Sequence, residues 1–226
     1  MPLLSIIVPV YNEANLIRKS LPPILNLAID KEVIIINDGS SDLTLDILKD
    51  LQKKYNFKSI NLEKNYGKGS AIRQGLNYIK GNFFTICDAD LEYDPQELIE
   101  LLYHAQAKNN NKLAVYGSRF LNIKPKNFHY IVNAFLTKLT NFLFQTNLSD
   151  METCFKLIPS SALKEIELTA KRFEIEPQIT AQLAKHGYQI EELPINYQRR
   201  RLNDGKKIKP RDGFLAIYML LKEKLF

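Results

Sequence analysis

Short apolar runs rich in β-branched residues alternate along the first half of the chain with segments whose apolar residues recur at helical spacing. Five runs predict strands, at residues 3–10, 32–36, 57–62, 82–87 and 113–116. The segments between them predict helices at 13–27, 41–51, 68–79 and 94–107. Strands joined by helices of this length usually pair in parallel. The pattern therefore predicts an α/β fold with a mainly parallel central sheet flanked by helices.

The second half is less regular. Helices are predicted at 128–144, 175–186 and 212–225, and strands at 154–158 and 189–195. The 128–144 segment carries an apolar stripe rich in phenylalanine, which indicates either packing on the core or contact with a bilayer surface. The last helix has the same two interpretations. The 226 residues are expected to form a single domain.

Polar residues follow every predicted strand of the first half. The clusters are Asn12-Glu13, Asn37-Asp38, Asn65-Tyr66-Gly67, Asp88-Ala89-Asp90 and Ser118-Arg119. Parallel sheets bind ligands at the carboxyl ends of their strands. We therefore expect these clusters to meet at one ligand-binding edge of the sheet.

Asp88 and Asp90 are the sharpest of these signals. Residues i and i+2 of an extended segment point the same way, so both carboxylates are expected to face one point, with Glu92 following. Holding like charges together is costly unless a cation lies between them. Carboxylate oxygens suit Mg²⁺ or Mn²⁺ that also binds substrate phosphates. The alternative interpretation is that Asp90 or Asp94 merely caps the next helix.

The turn Gly67-Lys68-Gly69-Ser70 precedes a predicted helix. It matches neither of the common glycine fingerprints for phosphate binding. Free N–H groups at a helix N-terminus can still bind an anion, so we expect this turn and Lys68 to face the substrate. A simple structural turn is the alternative.

The net charge of +6 is concentrated at one end of the chain. Residues 199–226 hold nine basic and three acidic side chains, so the rest of the chain is balanced. A local basic segment indicates a polyanionic partner, such as a diphosphate substrate, an anionic membrane surface or a nucleic acid. A solubilising charged tail is the alternative.

Cysteine content and hydropathy narrow the expected location. Cys87 and Cys154 cannot form a disulfide scaffold, which favours a reducing compartment. No secretory signal is recognisable at the N-terminus, and no run reaches the roughly 18–20 apolar residues of a membrane-spanning helix. The expected location is the cytoplasm.

Several stretches, as a set and in this order, resemble glycosyltransferase family 2. They are SIIVPVYNEA, IIINDGSSDLT, EKNYGKGSAIRQGL, ICDADLEYDPQEL, YGSRF, LSDMETCFKLI and YQRRRLNDGKKIKPRDG. Within the family, the chain most resembles the synthases that join a sugar to dolichyl or undecaprenyl phosphate. The resemblance implies a Rossmann-like GT-A fold, with a nucleotide-sugar-binding part at about 1–120 and an acceptor-side part at about 121–226.

The resemblance also assigns donor-side roles to particular residues. The donor would be a nucleotide-diphospho-sugar, and the residues expected at its nucleoside are Pro9, Tyr11, Glu13 and Asp38. Asp88, Asp90 and Glu92 would hold Mg²⁺ or Mn²⁺ on the diphosphate, and Asp88 would also contact the donor.

The acceptor side is assigned in the same way. The expected catalytic residues are Asp90, Arg119 and Asp150. Arg119 would reach a phosphate, and Asp150 would lie beside the acceptor and the transferred sugar. Arg200, Lys206 and Lys207 match a basic pattern at the mouth of the active site.

The implied reaction is an inverting, metal-dependent transfer of a sugar to a polyprenyl phosphate, at the cytoplasmic face of a membrane and without nucleic acid. One departure weakens the acceptor assignment, because the 121–133 segment lacks an arginine that relatives use there and offers only Lys124, Lys126 and His129. Two alternatives therefore stay open. A hydroxyl acceptor would need a general base, Asp150 first and Glu152 second. A non-catalytic nucleotide-sugar-binding relative is the other.

Overall fold

The computed structural model describes residues 3–122, 128–198 and 210–226, without the side chains of Phe128, His129 and Pro210. The predictions that fall outside the described residues or side chains are those for Lys124, Lys126, His129, Arg200, Lys206 and Lys207. Among the helices of the described ranges, none combines the length and apolar composition that crossing a bilayer requires.

Seven strands lie within the described ranges. They are β1 (Leu4–Val10), β2 (Lys31–Asn37), β3 (Lys58–Asn61), β4 (Phe83–Ile86), β5 (Leu113–Ser118), β6 (Lys156–Pro159) and β7 (Gln189–Pro194). The α-helices are α1 (Ile17–Leu25), α2 (Thr44–Gln52), α3 (Lys68–Leu76), α4 (Glu97–Lys108), α5 (Phe128–Phe144), α6 (Ile175–Lys185) and α7 (Pro210–Leu225).

The strands form one sheet in the order β3-β2-β1-β4-β6-β5-β7. Neighbouring strands are parallel except at β6, which runs antiparallel to both β4 and β5. The predicted mainly parallel α/β sheet is confirmed. The sheet is mixed only where β6 is inserted.

The reversed direction of β6 decides what lies at the functional edge. Lys156, the first residue of β6, pairs with Tyr116 near the end of β5. The loop that precedes β6 therefore reaches the same edge as the carboxyl ends of the parallel strands. Residues 150–155 join the polar clusters there, although they precede a strand.

Strand β1 separates two apolar layers. Leu4, Ile6 and Val8 face one side and pack with α1, α2 and α4, whereas Ile7 faces the other side with α3, α5, α6 and α7. Side chains of successive strand residues point to opposite faces, so a central strand that is covered on both faces must be apolar throughout. The continuous run from Leu4 to Val10 meets this requirement and fixes the sheet between its helices.

Candidate active site

A cavity of about 550 Å³ opens at the carboxyl ends of β1 and β4. Its wall brings together nine of the predicted site residues: Pro9, Tyr11, Glu13, Asp38, Lys68, Asp88, Asp90, Glu92 and Arg119. It also includes side chains that the motifs did not assign, namely Cys154, Arg172, Phe173, Glu176, Tyr197 and Arg211. Asp150 is fully buried and does not line the cavity.

Asp38 anchors the loop between β3 and α3. Its two carboxylate oxygens accept hydrogen bonds of 2.8 Å from the backbone N–H groups of Tyr66 and Gly67. Gly67 has a φ of 98°, and a Cβ there would lie 2.4 Å from the carbonyl oxygen of Lys171, so only glycine fits. Asp38 thus fixes the start of α3 on the end of β2, and its predicted nucleoside contact stays a prediction.

Lys68, at the start of α3, lies between two carboxylates. Its Nζ is 2.8 Å from Oδ2 of Asp88 and 3.2 Å from Oε1 of Glu176. Burial alone would lower the pKa of Lys68, but the charges of Asp88 and Glu176 hold it well above its ordinary value. Lys68 therefore stays protonated, and one of the two motif aspartates already has a protein cation.

Glu176 continues this arrangement inward. Its Oε2 accepts a hydrogen bond from Nζ of Lys156, which is completely buried at the start of β6. Burial opposes the charge of Glu176, yet Lys156 and Lys68 hold its pKa below the ordinary value. Glu176 was missed in the sequence, although a lysine inside the apolar FKLIP run signals that a buried carboxylate must face it.

Asp90 differs from Asp88 because Lys68 binds Asp88. Burial, followed by the charges of Asp88 and Glu92, raises the pKa of Asp90 to about 7. Its Oδ1 accepts a hydrogen bond of 3.0 Å from the backbone N–H of Glu92. A carboxylate destabilised by like charges suits a divalent cation, which would relieve that repulsion.

The donor set around Asp90 is small. Within the described ranges, no group of three or more His, Cys, Asp or Glu side chains is gathered as a metal site. The Glu92 Oε2 accepts a hydrogen bond of 2.5 Å from the Tyr197 hydroxyl. Cations that bind substrate phosphates commonly take one or two protein carboxylates and complete their shell with phosphate oxygens and water. The residues present fit such a cation.

Arg119 and Asp150 form a buried bidentate ion pair. Nε of Arg119 lies 2.6 Å from Oδ2 and Nη2 lies 2.7 Å from Oδ1 of Asp150. Asn133 donates a further hydrogen bond of 2.9 Å to Oδ1. Burial favours the neutral acid, but the Arg119 guanidinium outweighs it and holds the pKa of Asp150 below its ordinary value. Asp150 thus positions Arg119 from behind the wall, and its predicted place beside the acceptor stays a prediction.

Glu152 lies two residues further along the same loop and does reach the cavity. Its Oε1 is buried and has no hydrogen-bond partner among the residues that the structure describes. Burial raises the pKa of Glu152 to about 7, against the opposing effect of Lys156. Glu152 is therefore the loop carboxyl group that a substrate can meet.

Replacing Asp150 with asparagine should destabilise the fold. The change leaves the Arg119 guanidinium buried without a counter-charge, which typically costs about 3–5 kcal/mol. Urea unfolding of Asp150→Asn at neutral pH should show a loss of this size. Asp94→Asn, at an exposed position, is the control and should unfold like the parent chain. Parent-like stability of Asp150→Asn would contradict the assigned role of the ion pair.

The stability difference between Glu152→Gln and the parent chain should depend on pH. The pKa of Glu152 is about 4.5 in the unfolded chain and about 7 in the fold, so the folded state holds the extra proton between those values. The parent therefore loses stability relative to Glu152→Gln as pH rises from about 4.5 to about 7, by up to about 3 kcal/mol at 1.4 kcal/mol per pKa unit. Urea unfolding at pH 5 and pH 8 measures the change, and a constant difference would contradict it.

The sequence of the chain is similar to those of known proteins. The model of glycosyl transferase family 2 matches residues 5–167. The chain is 29% identical over 222 residues to the dolichyl-phosphate beta-glucosyltransferase ALG5A of Trichomonas vaginalis, covering 91% of this chain and 68% of that protein. It is 24% identical over 208 residues to the undecaprenyl-phosphate 4-deoxy-4-formamido-L-arabinose transferase of Edwardsiella ictaluri, covering 89% of this chain and 62% of that protein.

Solved structures show the same fold. Glucosyl-3-phosphoglycerate synthase from Mycobacterium tuberculosis in complex with UDP superposes with a TM-score of 0.73 at 16% identity, covering 100% of this chain and 81% of that chain. The mannosyltransferase PcManGT from Pyrobaculum calidifontis, in complex with GDP-Man and Mn²⁺, gives a TM-score of 0.63 at 19% identity, covering 85% and 55%. These likenesses confirm the predicted GT-A fold. The family match over residues 5–167 shows that the chain belongs to glycosyl transferase family 2 and is a glycosyltransferase by family.

Proposed function

We propose that the chain transfers a sugar from a nucleotide-diphospho-sugar to a polyprenyl phosphate with the help of Mg²⁺ or Mn²⁺. The charge of the cavity wall carries the proposal. Among the described residues of the wall, four side chains are cationic, whereas seven are acidic: Glu13, Asp38, Asp88, Asp90, Glu92, Glu152 and Glu176. A diphosphate is itself anionic, so it can enter this cavity favourably only together with a cation.

The carboxylates near the donor have different proposed roles. Asp88 is neutralised by Lys68, so Asp90, with Glu92 beside it, is the proposed metal ligand. A divalent cation at this point would neutralise the charge that develops on the departing diphosphate. Arg119, oriented by Asp150, adds a fixed positive charge to the same wall. Fixed charges of this kind stabilise a leaving group without reorganisation during the reaction.

The state of the acidic groups favours an anionic acceptor. A phosphate oxygen already carries the charge needed to attack the anomeric carbon from the side opposite the diphosphate, which gives inversion without a base. A hydroxyl acceptor needs a base, and Asp150 and Glu176 are both held in ion pairs. Two relatives, named for dolichyl phosphate and undecaprenyl phosphate, support the same acceptor class.

A hydroxyl acceptor is the second candidate, and Glu152 is the observation that favours it. A base with a pKa of about 7 on the cavity wall has a suitable affinity for a hydroxyl proton. Loss of turnover in Glu152→Gln with unchanged donor binding would favour this candidate.

The metal role of Asp90 can be tested with Asp90→Asn. We expect the purified chain to transfer sugar from one member of a nucleotide-sugar panel to polyprenyl phosphate with Mn²⁺ or Mg²⁺. Asp90→Asn should lower that rate by at least about a hundredfold, because the proposed metal loses its charged ligand. Asp94→Asn, at an exposed position near Asp90, is the control. Parent-like transfer by Asp90→Asn at saturating metal would contradict the assignment of Asp90 as a metal ligand.

Helices α5 and α7 support a peripheral position on the membrane. Each helix packs one stripe on the core and exposes a second set of apolar residues, spaced by three or four residues in α7 and less regularly in α5. The exposed residues are Ile131, Val132, Phe135 and Phe142 of α5, and Phe214, Tyr218, Leu221 and Leu225 of α7. The two helices contact each other, and Nζ of Lys224 lies 5.8 Å from the centre of the Phe144 ring.

The occupant that we propose for this surface is an anionic bilayer at the cytoplasmic face of a membrane. Phe142 is 81% exposed and Phe214 is 74% exposed, which is unusual for large apolar side chains in water. Lys138, Lys222 and Lys224 lie on the same two helices, and the basic segment 199–209 immediately precedes α7 in the sequence. Apolar side chains combined with basic ones are the composition of interfacial helices.

Removing the exposed aromatic side chains should weaken vesicle binding. The triple variant Phe142→Ser, Phe214→Ser and Tyr218→Ser loses the apolar area that would enter the lipid, so co-sedimentation with vesicles of phosphatidylglycerol and phosphatidylcholine should fall at least about tenfold. Tyr103→Ser on α4, 58% exposed, is the matched control and should bind as the parent does. Equal binding by the triple variant and the control would exclude this surface.

A further inference from the structure

The loop before β6 supplies a cavity group with no assigned role. Because β6 is antiparallel to β4, the residues that precede β6 reach the edge where Asp88 and Asp90 follow β4. Glu152 lies on this loop and lines the cavity. Pro9, near the end of β1, and Tyr11, directly after it, lie on the other side of β4 in the sheet order. The diphosphate position at Asp90 thus separates a β1 side from a β6 side.

Glu152 differs from Asp88 and Glu176 because, among the described residues, no ion pair holds its carboxylate. Asp38 accepts hydrogen bonds from two backbone N–H groups, and Asp88 accepts one from the Lys68 ammonium. Glu176 forms ion pairs with Lys68 and Lys156, although its Oε1 accepts no hydrogen bond from the described residues. Oε1 of Glu152 is buried, and no donor among the described residues reaches it. A buried acceptor without a hydrogen bond is unfavourable, and such groups usually bind a ligand or an ordered water.

We propose that Oε1 of Glu152 accepts a hydrogen bond from a hydroxyl group of the sugar carried by the donor, and that Glu152 is a specificity-determining residue for that sugar. The proposal rests on the proposed function, because it takes the diphosphate to lie at Asp90. With the nucleoside on the β1 side, the sugar lies on the β6 side, next to Glu152. The buried position of Oε1 also suits the substrate at the cavity floor rather than an acceptor that arrives from outside.

The test compares ligands that differ only by the sugar. Isothermal titration with Mn²⁺ measures Kd for UDP and UDP-glucose, and for GDP and GDP-mannose, on the parent chain, Glu152→Leu and Glu152→Gln. In the pair that the parent chain binds, Glu152→Leu should weaken the nucleotide-sugar about tenfold and leave the nucleoside diphosphate within about twofold. Glu152→Gln keeps a carbonyl oxygen and should recover part of the loss.

Glu97→Gln is the matched control, because Oε2 of Glu97 is also buried without a partner in the described residues but Glu97 lies outside the cavity. It should change neither Kd. Equal weakening of the nucleoside diphosphate and the nucleotide-sugar by Glu152→Leu would show a packing role and overturn the proposal. Unchanged binding of both, with or without lost turnover, would also overturn it. If the parent chain binds neither pair, the proposed function fails together with this inference.

Deoxy-sugar donors keep the test independent of how Glu152→Leu folds. On the parent chain, one deoxy analogue of the donor should bind about tenfold more weakly than the full sugar, because Glu152 loses its hydrogen bond. If every deoxy analogue binds as tightly as the full sugar, no sugar hydroxyl reaches Glu152 and the proposal is wrong.

Discussion

The buried contacts of Lys68 hold the functional edge together. One ammonium group at the start of α3 binds Asp88 after β4 and Glu176 in the first turn of α6, and Glu176 in turn binds Lys156 of β6. Four elements from distant parts of the chain therefore meet through alternating charges. Removing any one member would leave a buried charge uncompensated, which costs more than the pair itself contributes. The position of Asp88 depends on this arrangement.

The same arrangement makes two adjacent aspartates chemically different. Among the described residues, Asp88 forms an ion pair with Lys68 and Asp90 forms none, and burial with the charges of Asp88 and Glu92 raises the pKa of Asp90. Arg119 and Asp150 repeat the principle on the other side of the cavity, where a buried carboxylate fixes a cation from behind. In both cases one charged side chain orients another of opposite sign. Asp90, which has no ion pair among the described residues, is therefore the aspartate that we propose as the ligand of a substrate-borne cation.

The sequence predicts the elements better than it predicts their neighbours. The alternation of apolar runs and helical segments gives the strands within about two residues, because burial on two faces demands it. The reversed direction of β6 is set by pairing between distant strands, which no local pattern records. The roles of Asp150 and Glu176 depend on Arg119 and Lys156 in the same way. Local motifs predict that Asp88, Asp90 and Arg119 lie at the carboxyl edge of the sheet. They do not predict which of these side chains is neutralised by an ion pair.

The charge of the cavity wall contrasts with the excess of basic side chains in residues 199–226, and both bear on the substrates. The described wall is acidic even though the chain as a whole is basic. In the proposed reaction a cation at these carboxylates would attract the anionic donor, which would link donor binding to metal binding. The basic residues 199–209 lie outside the described ranges, and they immediately precede α7 and its exposed apolar stripe. An anionic lipid acceptor can satisfy both features, because its phosphate suits the basic segment and its chain suits the apolar stripe. A hydroxyl acceptor in water uses neither, so the acidic cavity and the basic, apolar surface together favour a lipid phosphate.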